Sequence, residues 1–229
     1  MFAHICNTNH SLLMISVSID FQMSSLQLVY MKSSSVNEHS IILLEEEAEQ
    51  FKSLSNDKRK VEFLGVRFLR NSLDINEPIK YVSSGKPYLS QLQHHISISH
   101  CSKYIALAVC AEPVGLDIEL LGRDTSRIIN KFISEGEKIL YKNDLIDGAL
   151  ELWCAKEAIY KLYDLKGLAF KDEITITKRK KQGELILLEG LVQRNIPKRE
   201  FIVKIGKEND LLIAVAAFTA APSDSYQEL

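Results

Sequence analysis

Lys103-Tyr-Ile-Ala-Leu-Ala-Val109 is followed, after a break at Ala111-Glu-Pro113, by Val114-Gly-Leu-Asp-Ile-Glu-Leu120. The first run is continuously apolar, as a buried strand is, and the second alternates, as a strand with one polar face does. The first run has an echo at Asp210-Leu-Leu-Ile-Ala-Val-Ala216. Each copy follows a polar turn and lies downstream of a long amphipathic helix. Duplicated halves joined near 113–125 account for the echo; so does the common need of any buried strand for Ile, Ala, Leu and Val. With two halves, a ligand site is expected between them, because pockets favour such interfaces.

Working outward, apolar runs bounded by polar residues predict strands at 12–19, 26–31, 79–83, 95–98, 173–178, 184–191, 200–206 and 211–218, besides 104–110 and 114–120. Helical periodicity covers 45–54, 57–73, 126–142 and 149–164, the second of these placing Val61, Leu64, Phe68 and Leu69 on one face. Runs of strands punctuated by helices favour an α+β fold over a doubly wound sheet.

The chain has 229 residues, 46% hydrophobic and 25% charged, with a formal net charge of −2 and a pI near 6.3. No global basic field exists to attract nucleic acid or an anionic membrane, so an anionic ligand must be met locally. Cys6, Cys101, Cys110 and Cys154 form no C-x-x-C pair and no zinc-like spacing, which points to a reducing, cytoplasmic setting. The apolar stretch Leu12–Met31 is interrupted by Asp20, Gln22, Ser24 and Ser25, and no Lys or Arg precedes Lys32; neither a signal peptide nor a membrane span is expected. The first ten or so residues carry no pattern.

In Val114–Leu120, Asp117 and Glu119 stand two apart, so both carboxylates leave one face of the strand while Leu116, Ile118 and Leu120 take the other. Like charges held this close need a cation or protons between them, and an all-oxygen set suits Mg²⁺ better than zinc. A bare D-x-E also fits the exposed face of an edge strand. The helix Leu152-Trp-Cys-Ala-Lys-Glu-Ala-Ile-Tyr-Lys-Leu162 adds a third carboxylate. Its stripe Leu152, Ala155, Ile159 and Leu162 accounts for core packing, leaving Trp153, Glu157 and Lys161 on a second stripe at i, i+4 and i+8. The sole tryptophan is an odd choice for solvent, so this second face is expected to be covered too.

Three carboxylates and a lysine suit metal-assisted attack at phosphorus, with lysine as a point-charge phosphate binder. A metal-dependent hydrolase fits equally well at this level. Ser84-Gly-Lys-Pro-Tyr88 places a lysine in a tight turn where backbone amides can approach an anion, and Ser97-Ile-Ser-His100 follows on the next strand. Lys178-Arg-Lys-Lys181 is a basic run that reads either as a docking patch or as a solvated hairpin turn.

Taken in order, Gly85-Lys-Pro87, Ile98-Ser-His100, Gly115-Leu-Asp-Ile-Glu119, Phe132-Ile-Ser134 through Glu137, Trp153-Cys-Ala-Lys-Glu-Ala-Ile-Tyr-Lys161 and Lys166-Gly-Leu168 closely resemble the 4′-phosphopantetheinyl transferase superfamily. The resemblance runs from about Ser55 to Phe218, and the length is similar to the larger, monomeric branch with two pseudo-symmetric halves. It implies an N-terminal half, 1–113, contributing to coenzyme A binding, and a C-terminal half, 114–229, carrying the metal carboxylates and the catalytic helix. The implied activity moves 4′-phosphopantetheine from coenzyme A to a serine of an acyl or peptidyl carrier protein.

By the same resemblance, Asp117, Glu119 and Glu157 match magnesium ligands, and Glu157 and Lys161 match catalytic positions. Arg59, Lys86, Ser99, His100, Lys156 and Lys161 match positions around coenzyme A, while Glu137 matches an acidic position near the site. Arg67 and Arg70 lie on the same early helix, as surface or ion-pairing residues. Two departures stand out: Ser97 replaces a frequent Asn, and Tyr81-Val-Ser-Ser84 lacks the basic residue often found before Gly-Lys-Pro. Two other readings use the same residues: a magnesium-dependent coenzyme A pyrophosphohydrolase, and a catalytically silent coenzyme A binder.

Overall fold

The structure is a computed structural model that describes residues 3–4, 15–16, 26–37, 41–91, 93–142, 145–164, 166–194 and 198–219. Its strands are β1 (Ala3–His4), β2 (Ile15–Ser16), β3 (Gln27–Lys32), β4 (Ile79–Tyr81), β5 (Pro87–Leu89), β6 (His95–His100), β7 (Tyr104–Cys110), β8 (Gly115–Leu120), β9 (Ile174–Gln182), β10 (Leu185–Val192), β11 (Arg199–Glu208) and β12 (Leu211–Phe218). The helices are α1 (Glu45–Ser53), α2 (Asp57–Ser72), α3 (Ile129–Phe132), α4 (Glu135–Leu140) and α5 (Leu145–Tyr163). Most of the strand expected at 12–19 lies outside the described residues, β2 excepted.

Two antiparallel sheets organise the molecule, one ordered β3-β7-β6 and the other β8-β12-β11-β10-β9, so the fold is α+β as expected. Alternation along β7 explains its continuous apolar run. Ile105, Leu107 and Val109 pack with Val66 and Leu69 of α2, whereas Tyr104, Ala106 and Ala108 pack against the other sheet. β12 does the same in mirror fashion: Leu212, Ala214 and Ala216 join the α5 core, and Leu211, Ile213 and Val215 join the inter-sheet cluster. A strand covered on both faces has no polar position to keep. The layers therefore run α2, sheet, sheet, α5.

Leu152, Ala155, Ile159 and Leu162 are all buried, as their stripe predicts. Helix α5 lies directly on β8 because Gly115 has no side chain: a Cβ there would stand 1.9 Å from the Ala158 carbonyl oxygen. Any larger residue would push helix and strand apart.

Two local expectations need correction, and one short strand was not expected. The helix predicted over 126–142 is two short helices, because Ser134 adopts an extended conformation and caps α4 in a capping box with Glu137. The turn around Gly85, whose φ is +93°, is followed by the short strand β5, paired with β4. Lys178–Lys181 lies within β9, and the hairpin turns at Gly183 instead; Arg179 points inward to Glu151 at 3.0 Å, while Lys178 pairs with Glu189. Among the described residues, no helix is long and apolar enough to cross a membrane.

Candidate active site

The two sheets meet where β6 runs beside β8, and side chains rather than backbone ladders join them. Ser97 Oγ accepts a hydrogen bond from the Leu116 amide at 2.9 Å, and Ser99 Oγ accepts one from the Ile118 amide at 3.2 Å. Ser99 then donates to Asp117 Oδ1 at 2.9 Å. Both serines are buried, so the Ser-Ile-Ser alternation puts two small hydroxyls against a neighbouring edge while the isoleucines face the α2 core. Ser97 at this position therefore has a structural task that the sequence did not disclose.

Asp117 and Glu119 leave the same face of β8 towards α5, as the strand period predicts. Lys161 on α5 donates to Asp117 Oδ1 at 2.8 Å and to the Leu116 carbonyl at 2.9 Å. Glu119 Oε1 accepts from Trp153 Nε1 at 2.9 Å and forms an ion pair with Arg123, whose guanidinium also lies 5.2 Å from the Trp153 ring centroid. Trp153 packs on Phe132 and Phe170, so the second stripe of the helix is indeed covered. Glu157 sits half-buried between these groups. Burial and then the Asp117 charge hold its carboxyl above the usual range, against the pull of Lys161 and Arg123.

The donor chemistry fits a hard divalent cation. Asp117 Oδ2 is buried and without a hydrogen-bond partner, the kind of acceptor a metal ion completes, and the Asp117 charge acts on Glu157 from close range. Glu119 is engaged by Arg123, and among the described residues no three Asp, Glu, His or Cys side chains are gathered as a ready-made metal cluster. Asp117 thus keeps one oxygen unpaired, its Oδ1 being held by Ser99 and Lys161, while Glu119 is engaged by Trp153 and Arg123.

Next to the carboxylates lies a cavity of about 630 Å³, walled by α2, the turn before β5, β6 and the end of α5. Arg59, Lys86, His100 and Lys161 line it. Lys86 is half-buried; its Nζ approaches the Leu162 carbonyl at 3.5 Å, and burial holds its ammonium below its usual range while Asp164 opposes the shift. His100 Nδ1 lies 3.3 Å from Glu62 on α2. Ser99 stands behind the wall, reaching the site through Asp117.

Lys156 does not belong with these groups. Its amine is fully buried on the other side of α5, donating to the carbonyls of Phe132 at 2.7 Å, Phe170 at 2.7 Å and Ile174 at 2.9 Å, and pairing with Glu137 at 2.8 Å. Helical spacing places Lys156 next to Glu157 in the chain but about 100° away around the axis. Glu137 is equally buried, bound to Ser134 and to the Ile176 amide, so it anchors the fold behind the site instead of lining it. Arg67 and Arg70, read as surface or ion-pairing residues, are both buried on Glu47, at 3.2 and 2.7 Å. Sequence reading also passed over Phe63, Tyr81 and Asp164, which line the cavity.

Residues 113–216 match the model of a family described as the 4′-phosphopantetheinyl transferase superfamily. The chain is similar to 4′-phosphopantetheinyl transferase gsp of Aneurinibacillus migulanus, 32% identical over 107 residues that make up 44% of this chain and 45% of the relative. It is also similar to the 4′-phosphopantetheinyl transferase of Bacillus subtilis, 34% identical over 82 residues, 34% of this chain and 37% of the relative. The matches thus span less than half the length of either curated relative.

Proposed function

We propose that this chain, whose residues 113–216 match the model of the 4′-phosphopantetheinyl transferase superfamily, is a member of that superfamily and transfers 4′-phosphopantetheine from coenzyme A to a serine hydroxyl of a carrier protein. The observation that carries this reading is Lys161, which lines the cavity and also touches Asp117 at 2.8 Å. One side chain links a pocket with cationic walls to a set of carboxylates, as a site that binds a diphosphate and reacts at one of its phosphorus atoms requires.

Arg59, Lys86 and His100 receive the phosphates of coenzyme A, with residues 1–113 supplying most of this wall and 114–229 the reacting groups. Asp117 and Glu157, with Glu119 once Arg123 releases it, would hold Mg²⁺, which when bound polarises the diphosphate and offsets charge on the leaving group. The serine oxygen forms a bond to the β-phosphorus as the bond from that phosphorus to the bridging oxygen breaks, and 3′,5′-ADP departs. Glu157, directly or through a water, takes the serine proton. Lys161 stabilises charge on the transferred phosphoryl oxygens. Both walls come from one chain, so on this reading the site is complete in a monomer, and the absence of a disulfide-like cysteine pattern fits a cytoplasmic setting.

Intact-mass spectrometry of an apo carrier protein incubated with the enzyme, coenzyme A and Mg²⁺ tests the proposal. A gain of one phosphopantetheine arm, lost with chelator, is the expected result. Release of free phosphopantetheine without a carrier would point to the pyrophosphohydrolase reading instead, and neither product from a chain that binds coenzyme A would leave a silent binder.

A further inference from the structure

Two buried carboxylates, Asp117 and Glu119, stand on one face of β8, and the fold gives each its own cation. Lys161 serves Asp117 and is tied down twice, since its Nζ also donates to the Leu116 carbonyl at 2.9 Å. Arg123 serves Glu119, its guanidinium 5.2 Å from the Trp153 ring centroid. The two cations differ in how firmly they are held. Lys161 stands on α5, whereas Arg123 stands in the turn after β8, next to Gly122 with φ +84°, and its side chain is 39% exposed. A second cavity of about 540 Å³, lined by Arg123, Asp124, Ser126 and Lys207 among others, opens beside it. The Arg123 side chain therefore has room to move without displacing a helix or a strand.

From this we infer that Arg123 is an internal stand-in for the divalent cation: it neutralises Glu119 in the metal-free chain and withdraws towards the second cavity when a divalent cation binds, which deepens the magnesium reading of Asp117, Glu119 and Glu157 and rests on it. A buried carboxylate without a counter-charge is costly, so the metal-free fold has to supply one at Glu119. A guanidinium and a divalent cation on the same carboxylate repel, and arginine cannot relieve the repulsion by giving up its proton. The guanidinium must therefore leave. Asp117 Oδ2, buried and without a hydrogen-bond partner, is the acceptor that the internal cations do not reach. Arg123 thus sets the metal affinity of the centre: if about a tenth of the molecules have it released, the apparent Kd stands about tenfold above the intrinsic one. An arginine that merely oriented Glu119 as a ligand would have the opposite effect, raising affinity by its presence.

Trp153, the one tryptophan of the chain, reports the exchange, because its Nε1 donates to Glu119 and its ring lies beside the guanidinium. Mg²⁺ titration of the intact chain without coenzyme A, followed by Trp153 fluorescence and by calorimetry, tests the inference. Arg123→Gln is expected to bind Mg²⁺ about tenfold more tightly than wild type. Arg123→Lys, which keeps the charge, should stay closer to wild type, and Arg127→Gln, which removes the same charge from an exposed position four residues on, should leave the midpoint within about twofold. Equal or weaker Mg²⁺ binding by Arg123→Gln overturns the inference, as does equal tightening in both glutamine variants, which would assign the effect to net charge. Wild type gives a second test that needs no variant to fold: heat of Mg²⁺ binding with no change in Trp153 emission also overturns it, while the magnesium reading stands. If neither probe detects Mg²⁺ even with coenzyme A present, the magnesium reading itself fails and takes this inference with it.

Discussion

Glu157 shows how one residue can be costly to the fold and necessary to the site. Its proton is held more tightly in the folded chain than in the unfolded one, because burial and the Asp117 charge both disfavour the carboxylate. The sign follows: ionising Glu157 costs folding free energy, so stability falls as pH rises from the ordinary carboxylate range through the raised folded value. At neutral pH that cost is present, and Glu157→Gln removes it. The metal-free variant should therefore melt a few degrees higher than wild type near pH 7, by differential scanning calorimetry, and the gap should close in acid. The same variant should lose roughly 10²–10⁴ in turnover, the range for a general base, while saturating with coenzyme A at near-normal concentrations. Equal melting and near-normal turnover would remove Glu157 from both roles.

Helix α5 is an element with two jobs, divided around its axis. One stripe builds the core, a second presents Trp153, Glu157 and Lys161 to β8, and Lys156 pins a third side to Glu137 and to three carbonyls. That pin sets the rotation of the helix about its axis one residue before Glu157. Lys156→Met would leave the Glu137 carboxylate and three carbonyls short of a partner inside the core. The expected cost is about 3–5 kcal/mol, the range for removing half of a buried pair. In a chain of this size that corresponds to a drop of roughly 6–20 °C in thermal midpoint. The double variant Lys156→Met with Glu137→Gln should recover part of the loss, because the orphaned charge goes as well. A single variant as stable as wild type would show that the pin is decorative.

At the scale of the whole molecule, the cavity exists only because two sheets are stitched along one edge and latched at another. The stitch is Ser97 and Ser99 on the amides of β8. The latch joins the turn before β5 to the end of α5: Ser84 Oγ donates to Asp164 at 2.7 Å, and Lys166 Nζ donates to the Ser83 carbonyl at 2.9 Å. Asp164 itself closes α5 in a left-handed conformation, φ 55°, a short polar residue being one of the few that tolerate it. Asp164→Ala should loosen the Lys86 turn with a cost of about 1 kcal/mol in coenzyme A affinity, a several-fold rise in KM, and faster amide hydrogen exchange over 82–86. Asp164→Asn, which keeps an acceptor, should stay close to wild type. Unchanged exchange in the alanine variant would mean that the turn holds its shape alone.

What the sequence by itself determined is local and periodic. The period of two along Val114–Leu120 put Asp117 and Glu119 on one face, and the period of 3.6 along 152–162 separated a core stripe from Trp153, Glu157 and Lys161. Every strand expected from 79 onward has its counterpart, as do the helices apart from the break at Ser134. Only the tertiary structure decided what those faces meet. Lys156 was legible as a neighbour of Glu157 but not as a core residue, since its acceptors come from Phe132, Glu137, Phe170 and Ile174, 14 to 24 positions away in the chain. The burial of Arg67 by Glu47, the link from Ser97 to Leu116 and the latch from Ser84 to Asp164 likewise join segments 19 to 80 positions apart. Short-range periodicity reports which way a side chain leaves the backbone; the partner that waits there is set by how sheets and helices stack, and no local pattern encodes that distance.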